Sequence, residues 1–377
     1  MIYAVFIQIE ITFFKGQNIL HRSSRPVEST HQIHHLTAMM KLLAREQKDA
    51  SSSAAALHPC MEYLVHHQVL DILSTLCQAD VPPGIRPHLI KFFTFLVGHI
   101  DQVVLPYVSI YLPIRRLLAL FCSAKASPTE PQELAFILSL IGNLNRNPEL
   151  LTLLAHQPSP GDVSHSTSRR VSRASSTLEL SILPFLEKET ERASQPLINY
   201  DGKHLLLSAV LNFVDSADYM VSCQVSKFLD PFRTERNTPI KYQNKPKFVV
   251  YLQAMDALIT VSAFGDDDCA YDVVTGTALC DVTTGRLSAA LDALDDAFSS
   301  DPFNVSHVEE IKVSWIEAHH LLAPQGRNNK DFAGKTELVA FFSWLDFCDD
   351  MIGKSHPVIR DSLVEAVEVQ FFQVNIN

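Results

Sequence analysis

Glycine is scarce: 12 of 377 residues. That argues against the glycine-rich loops that cradle phosphates and against β-rich folds built on many tight turns. No apolar run approaches the roughly 20 residues needed to cross a bilayer. The seven cysteines are an odd, scattered set with no CxxC pair, which predicts reduced thiols in a cytosolic setting. Basic side chains are outnumbered, 31 against 42 acidic, for a net charge of -11. This disfavours nucleic acid, which needs clustered Lys and Arg to displace counterions. There is no G-x-S-x-G, GxxxxGK[ST], GxGxxG or H-E-x-x-H. An enzyme is left as the second reading, with active-site residues that meet only in the fold. The opening "MIYAVFIQIEITFF" lacks a basic n-region and a small-residue cleavage site, so no signal peptide is expected. Its alternation of Val5, Ile7, Ile9 and Ile11 reads as a strand.

What the chain does have is helical periodicity, and 47% hydrophobic residues to build a core. Met61, Leu64, Val65, Val69, Ile72, Leu73 and Leu76 fall at steps of three and four, one apolar stripe starting at Pro59. "DVPPG" then stops the helix. A second helix is predicted over 86–104 and a third from near Pro113. A fourth follows Thr129, a candidate N-cap with Glu133 in the first turn, and a short fifth covers 148–156. Further helices are predicted at 202–225, 249–264, 281–298, 305–322, 335–353 and 357–369. In "DFAGKTELVAFFSWLDFCDDMIGK" the apolar face reads as Leu338, Phe341, Phe342, Leu345 and Met351 or Ile352. No single helix of 10–20 residues buries its stripe alone, whereas stacking successive pairs buries them all. The expected fold is therefore all-α, an α-solenoid, with a closed bundle as the alternative.

The domain reading is an atypical N-terminal segment at 1–56, a helical repeat block at 57–156 and a flexible Ser/Arg/Pro loop at 157–200. A second helical block covers 201–370 with an aperiodic insert at 224–253, and a tail covers 371–377. In the loop, "RRVSRAS" places Ser172 and Ser175 beside Arg169, Arg170 and Arg173, and both serines are candidate phosphorylation sites for a basophilic kinase. The plain alternative is a basic loop that is never modified.

The polar clusters favour structure over chemistry. His66 and His67 are neighbours, about 100° apart on a helix, so they cannot both face one metal. His31, His34 and His35 have helical spacing but no Cys or Asp to complete a site. His319–His320 repeats the adjacent-pair problem. "GDDDC" at 265–269 lacks calcium-loop spacing and reads as a solvated turn between helices. Trp315 and Trp344, both on predicted helices, read as core. No catalytic, cofactor-binding or metal residue is assigned, and no cofactor is expected.

"PCMEYLVHHQVLDILSTLCQADVPPGIR", "FFTFLVGHIDQVVLPYVSIYLPIRRLL", "PTEPQELAFI" and, later, "LVAFFSWLDFCDDMI" resemble the N-terminal portion of the Hook-interacting protein family, formerly called retinoic-acid-induced 16-like, in its second subgroup. "GRLSAALDALDDAF" matches more weakly. The resemblance implies a non-enzymatic all-α scaffold, an armadillo-like α-solenoid. It would join a Hook-family dynein adaptor and a ubiquitin-conjugating-enzyme-like subunit to Rab GTPase-bearing vesicles for microtubule transport. The chain would then be cytoplasmic and held peripherally on endosomal or secretory vesicles through its partners. No binding residue is carried over from the resemblance. Residues 1–17 depart from the family pattern, and 224–253 interrupts it. The insert opens Gln-Val-Ser and closes Leu-Gln, as an in-frame retained intron would, and "VQFFQVNIN" reads as similar read-through. The alternatives are a genuine loop, or a non-functional truncated product of a faulty gene model.

Overall fold

The computed structural model describes residues 26–49, 59–99, 107–123, 127–145, 154, 204–214, 247–299, 314–316 and 334–375. Every regular element among them is helical, with no strand. The chain divides into two compact units, Met1–Leu206 and Leu207–Asn377.

The first unit contains α1 (Gln32–Asp49), α2 (Pro59–His66), α3 (Val69–Ala79), α4 (Arg86–His99), α5 (Val108–Ser123) and α6 (Glu130–Leu144). The expected single helix from Pro59 is broken in two. Gln68 takes φ 55°, in the left-handed region, and the chain restarts at Val69. The kink changes which residues face inward. Cys60, Tyr63, Leu64 and Val65 are buried before it and Val69, Leu70, Leu73, Ser74 and Cys77 after it, while Met61, Ile72 and Leu76 are only partly covered. Counting α2–α3 as one bent rod, the packing skips a helix each time. The first rod, α1, lies against the third, α4. The second lies against α5, and α4 lies against α6. Odd and even rods thus form two layers, the arrangement expected of a helical repeat.

The layers meet tightly. Phe92, Phe93 and Leu89 of α4 are fully buried, and Phe121 of α5 meets Phe136 of α6 edge-on at 5.7 Å. Each such side chain contributes roughly 1.5–3 kcal/mol through burial. A Cβ at Gly98 would lie 3.1 Å from Ser139 Oγ, so glycine lets α4 and α6 approach. The side chain of Asn143 donates to the carbonyl of Val97 across the same contact. Pro113 lies inside α5 and does not begin it, five residues past its start at Val108. A proline there removes one intrahelical donor, so the tertiary burial of Ile110, Ile114, Leu117 and Leu118 carries the helix. Helix α1 and the 3₁₀ turn Val27–Ser29 before it were not foreseen. They fall in the segment read as atypical, and Val27 N–H donates to Pro83 O in the "DVPPG" turn at 3.0 Å.

The second unit holds most of α7 (Leu205–Val214), then α8 (Lys247–Ser262), α9 (Asp267–Gly276), α10 (Leu279–Ser299), α11 (Lys335–Lys354) and α12 (Pro357–Ala366). A π-helical turn, Val367–Phe372, extends α12 and leads into Gln373–Asn375. Helix α10 packs chiefly on α11, α9 on α12, and α11 also on α8 and α12. Helix α8 starts inside the segment read as insert, and the helical chain continues through the first residues of the segment read as tail.

Two expectations are corrected here. "GDDDC" is more than a solvated turn. Asp266 caps α9, its carboxylate accepting Cys269 N–H at 2.9 Å, and Asp267 and Asp268 sit in the first turn, at the positive end of the helix dipole. Around Trp315 the described residues 314–316 form a turn where a helix over 305–322 was expected. The proposed strand at the N-terminus, the 157–200 loop with Ser172 and Ser175, and nearly all of the 148–156 helix lie outside the described residues.

Candidate functional site

The region around His66 and His67 builds a structural joint. His67 stacks on Tyr63 at 4.1 Å and meets His66 edge-on at 5.1 Å, directly before the helix break at Gln68. Cys60 N–H is capped from another helix by the Glu46 carboxylate, at 2.9 and 3.1 Å. At the far end Asp80 takes φ 49° and its N–H returns to Leu76 O, closing α3. Its carboxylate then accepts Gly84 N–H and Arg86 N–H, and the Arg86 guanidinium donates to Cys77 O and Gln78 O at 3.0 Å each. The last carbonyls of α3 and the first amides of α4 are thereby satisfied within one turn. Arg116 of α5 pairs with Asp71 of α3 and fastens the even layer.

Thr129 does sit at the N-cap of α6, but its hydroxyl makes no bond to the backbone amides. It donates to Glu133 Oε1, as does Ser127 Oγ at 2.9 Å. The Oε2 of Glu133 has no partner, and the residue is 2% exposed. Burial raises the Glu133 pKa above its ordinary value, against the lowering effect of the two hydroxyls. Burial likewise pushes the thiols of Cys60, Cys77 and Cys348 up to about 12, the opposite of what a nucleophile requires.

His31, His34 and His35 lie at the start of α1. Burial, then His34 and His31, lower the pKa of His35. Among the described residues no group of three or more His, Cys, Asp and Glu is placed to hold a metal ion. No helix among them is long and apolar enough to cross a membrane.

In the second unit, the segment that carries the family resemblance builds a tryptophan clamp. Asp346 accepts Trp315 N–H and Asp350 accepts its indole Nε1–H, both at 2.9 Å. The Trp315 ring meets Phe347 edge-on at 5.5 Å. Trp344 donates its own indole N–H to Thr283 O at 2.9 Å, and Arg286 lies 5.7 Å over its ring. Both tryptophans are core, 4% and 5% exposed, as expected. The two carboxylates at i and i+4 explain the turn at Trp315. Asp346 supplies the backbone acceptor that a helix would otherwise provide, and Asp350 takes the indole. Donation from Trp315 and then Lys354 lowers the Asp350 pKa below its ordinary value. The buried face of α11 is Leu338, Val339, Ser343, Trp344, Phe347, Cys348 and Met351, which leaves Phe342 exposed. The expected face was rotated because α11 is covered by α8, α10 and α12 together, not along one stripe.

What remains for function is surface. Large apolar side chains are exposed at Tyr271 and Ile316, and in a group at the C-terminal end of the second unit: Phe342, Val364, Val369, Phe372 and Val374. The sequence signalled this group only through apolar residues standing out of register with the buried face of α12, Ile359, Leu363 and Ala366. Two comparisons bear on its meaning. The chain matches the retinoic acid induced 16-like protein family over residues 60–218 and 240–376. It is also 22% identical over 354 residues to human FHF complex subunit HOOK-interacting protein 1A, covering 94% of this chain and 26% of that protein. The chain therefore spans about a quarter of the length of that relative.

Proposed function

The chain belongs to the retinoic acid induced 16-like family, and from that membership we propose that it is a non-enzymatic scaffold whose stacked helices present surfaces to protein partners. The partners we propose are a Hook-family dynein adaptor, a ubiquitin-conjugating-enzyme-like subunit and a Rab GTPase. Together they would hold the chain peripherally on endosomal or secretory vesicles for microtubule-based transport, in the cytoplasm. The observation that carries this reading is the family match across both helical units, with a relative whose name states that it interacts with HOOK. The site chemistry supports it. Polar groups such as Asp80, Arg86, Asp346 and Asp350 are engaged in joining helices, and apolar residues are left outside.

A pull-down from cytosol with the purified chain, read by mass spectrometry, tests the proposal. Recovery of a Hook protein together with the ubiquitin-conjugating-enzyme-like subunit is the expected result. Recovery of neither by a chain shown to be folded would remove these partners from this part of the protein.

A further inference from the structure

We propose that the docking of α1 on α4 is a proton-operated switch: the histidines at the start of α1 leave it in place when neutral and release it when they take up protons. The inference is independent of the partners proposed above. His31, His34 and His35 fall within one turn at the N-terminal end of α1. His31 and His34 are exposed and His35 is partly covered, with the rings of His34 and His35 6.1 Å apart. The first turn of α1 carries no acidic residue. Thr30 caps this end, its Oγ1 accepting Gln32 N–H at 3.4 Å. A helix N-terminus is the positive end of the dipole, so carboxylates suit it and imidazolium ions do not. Neutral rings fit there. Three cations would repel one another, oppose the dipole and, at His35, lose part of their hydration.

The groups around the contact leave this repulsion unrelieved at His35. Burial comes first in lowering its pKa below the ordinary 6.5, followed by His34 and His31. Helix α1 packs on the 3₁₀ turn Val27–Ser29, on α4 and on α2. The 3₁₀ turn presents Glu28, and α4 presents His88 and Lys91. Burial lowers the His88 pKa, with Glu28 opposing and Lys91 adding to the effect. Both sides of the contact therefore favour neutral imidazole. Towards α2, Glu46 is taken up by Cys60 N–H, near the other end of α1. The sign follows directly. Docking stability from His35 is complete above its ordinary value and is lost as pH falls through the folded one.

What the switch holds down is apolar. Leu36 follows His35 in the chain, and with Met39 and Leu43 it forms the buried face of α1. The opposite response is built into the far side of α4. Helix α6, which also packs on α4, contains no histidine, and its buried Glu133 has a raised pKa. Mild acid thus loosens α1 while α6 stays seated.

Amide hydrogen exchange on the whole chain, at about pH 7.5 and about pH 5.5 and corrected for intrinsic rates, tests this. One group of ordinary value 6.5 that stays neutral while docked shifts the opening equilibrium about tenfold over that interval. Opening of the Leu36–Leu43 amides is expected to rise by about that factor, and that of the Phe136–Leu140 amides by less than about twofold. His35→Gln should reduce the α1 rise to less than about twofold. The exposed pair His31→Gln/His34→Gln should reduce it in part, with no core residue disturbed. Unchanged α1 protection in the parent would overturn the proposal. So would an equal rise in α1 and α6, which would mean acid unfolding of the whole unit, or a full rise retained in both variants. The comparison of α1 with α6 in the parent needs no variant, so misfolding of His35→Gln leaves the test intact.

Discussion

Glu133 shows how one buried group links sequence to pH-dependent stability. Its pKa in the folded chain is raised above the ordinary 4.5, so the folded state favours the protonated acid. Stability from this site is complete below the unfolded value and declines as pH rises through the folded one. Glu133→Gln keeps an acceptor for Ser127 and Thr129 and removes the charge. The variant should be about 1 kcal/mol more stable at pH 7, with the gain vanishing toward pH 4. Urea melts across that range check it, and a variant less stable at pH 7 would contradict the assignment. The thiols give a second residue-scale expectation. With Cys60, Cys77 and Cys348 pushed up to about 12 and Cys269 to about 11, a disulfide reagent at pH 8 should titrate fewer than the seven cysteines in the native chain and all seven in denaturant. Prompt reaction of all seven without denaturant would refute it. The Glu133 cluster was half legible. Its place in the first turn of a helix could be read from "SPTEPQE", but the absence of a partner for Oε2 depends on how α6 is buried.

At the scale of elements, joints carry as much information as helices. Gly334 opens α11 at φ +81°, and a Cβ there would lie 2.8 Å from the Phe298 ring of α10. Gly334→Ala should therefore cost about 1–3 kcal/mol, through both backbone and contact. The midpoint of urea unfolding measures it, and a neutral result would mean that α10 and α11 do not meet as described. Helix existence was readable wherever apolar residues recurred at three and four, as in α4, α6, α10 and α11. Breaks were not. Gln68 has no sequence mark of a left-handed residue, and Pro113 looked like a start because proline usually is one. Helix α1 carries the same spacing in Leu36, Met39 and Leu43, but no proline or glycine marks its start. "GDDDC" carries no unique mark of a cap, because acidic clusters suit turns and first helical turns equally.

For the molecule as a whole, the family match skips 219–239 and resumes at 240. We retain as a proposal that 224–253 contains inserted sequence, and the start of α8 at Lys247 sets how much can be removed. A chain lacking 224–239 should keep the helical circular dichroism and thermal midpoint of the parent. Loss of cooperative melting would show that the segment is part of the fold. Sequencing the transcript asks the same question at its source, since a shorter isoform is expected if the segment is a retained intron.

The sequence by itself determined the helical class and the family. Each depends on local periodicity or on runs of residue identity, and both survive in one dimension. The tertiary structure alone decided which face of each helix is buried, because that depends on neighbours distant in the chain. It turned α11 so that Trp344 and Phe347 point inward and Phe342 outward, and pinned Trp315 between Asp346 and Asp350. It also left Val364, Val369 and Phe372 exposed beside Glu365 and Glu368, a surface that exists only once the opposite side of α12 is covered.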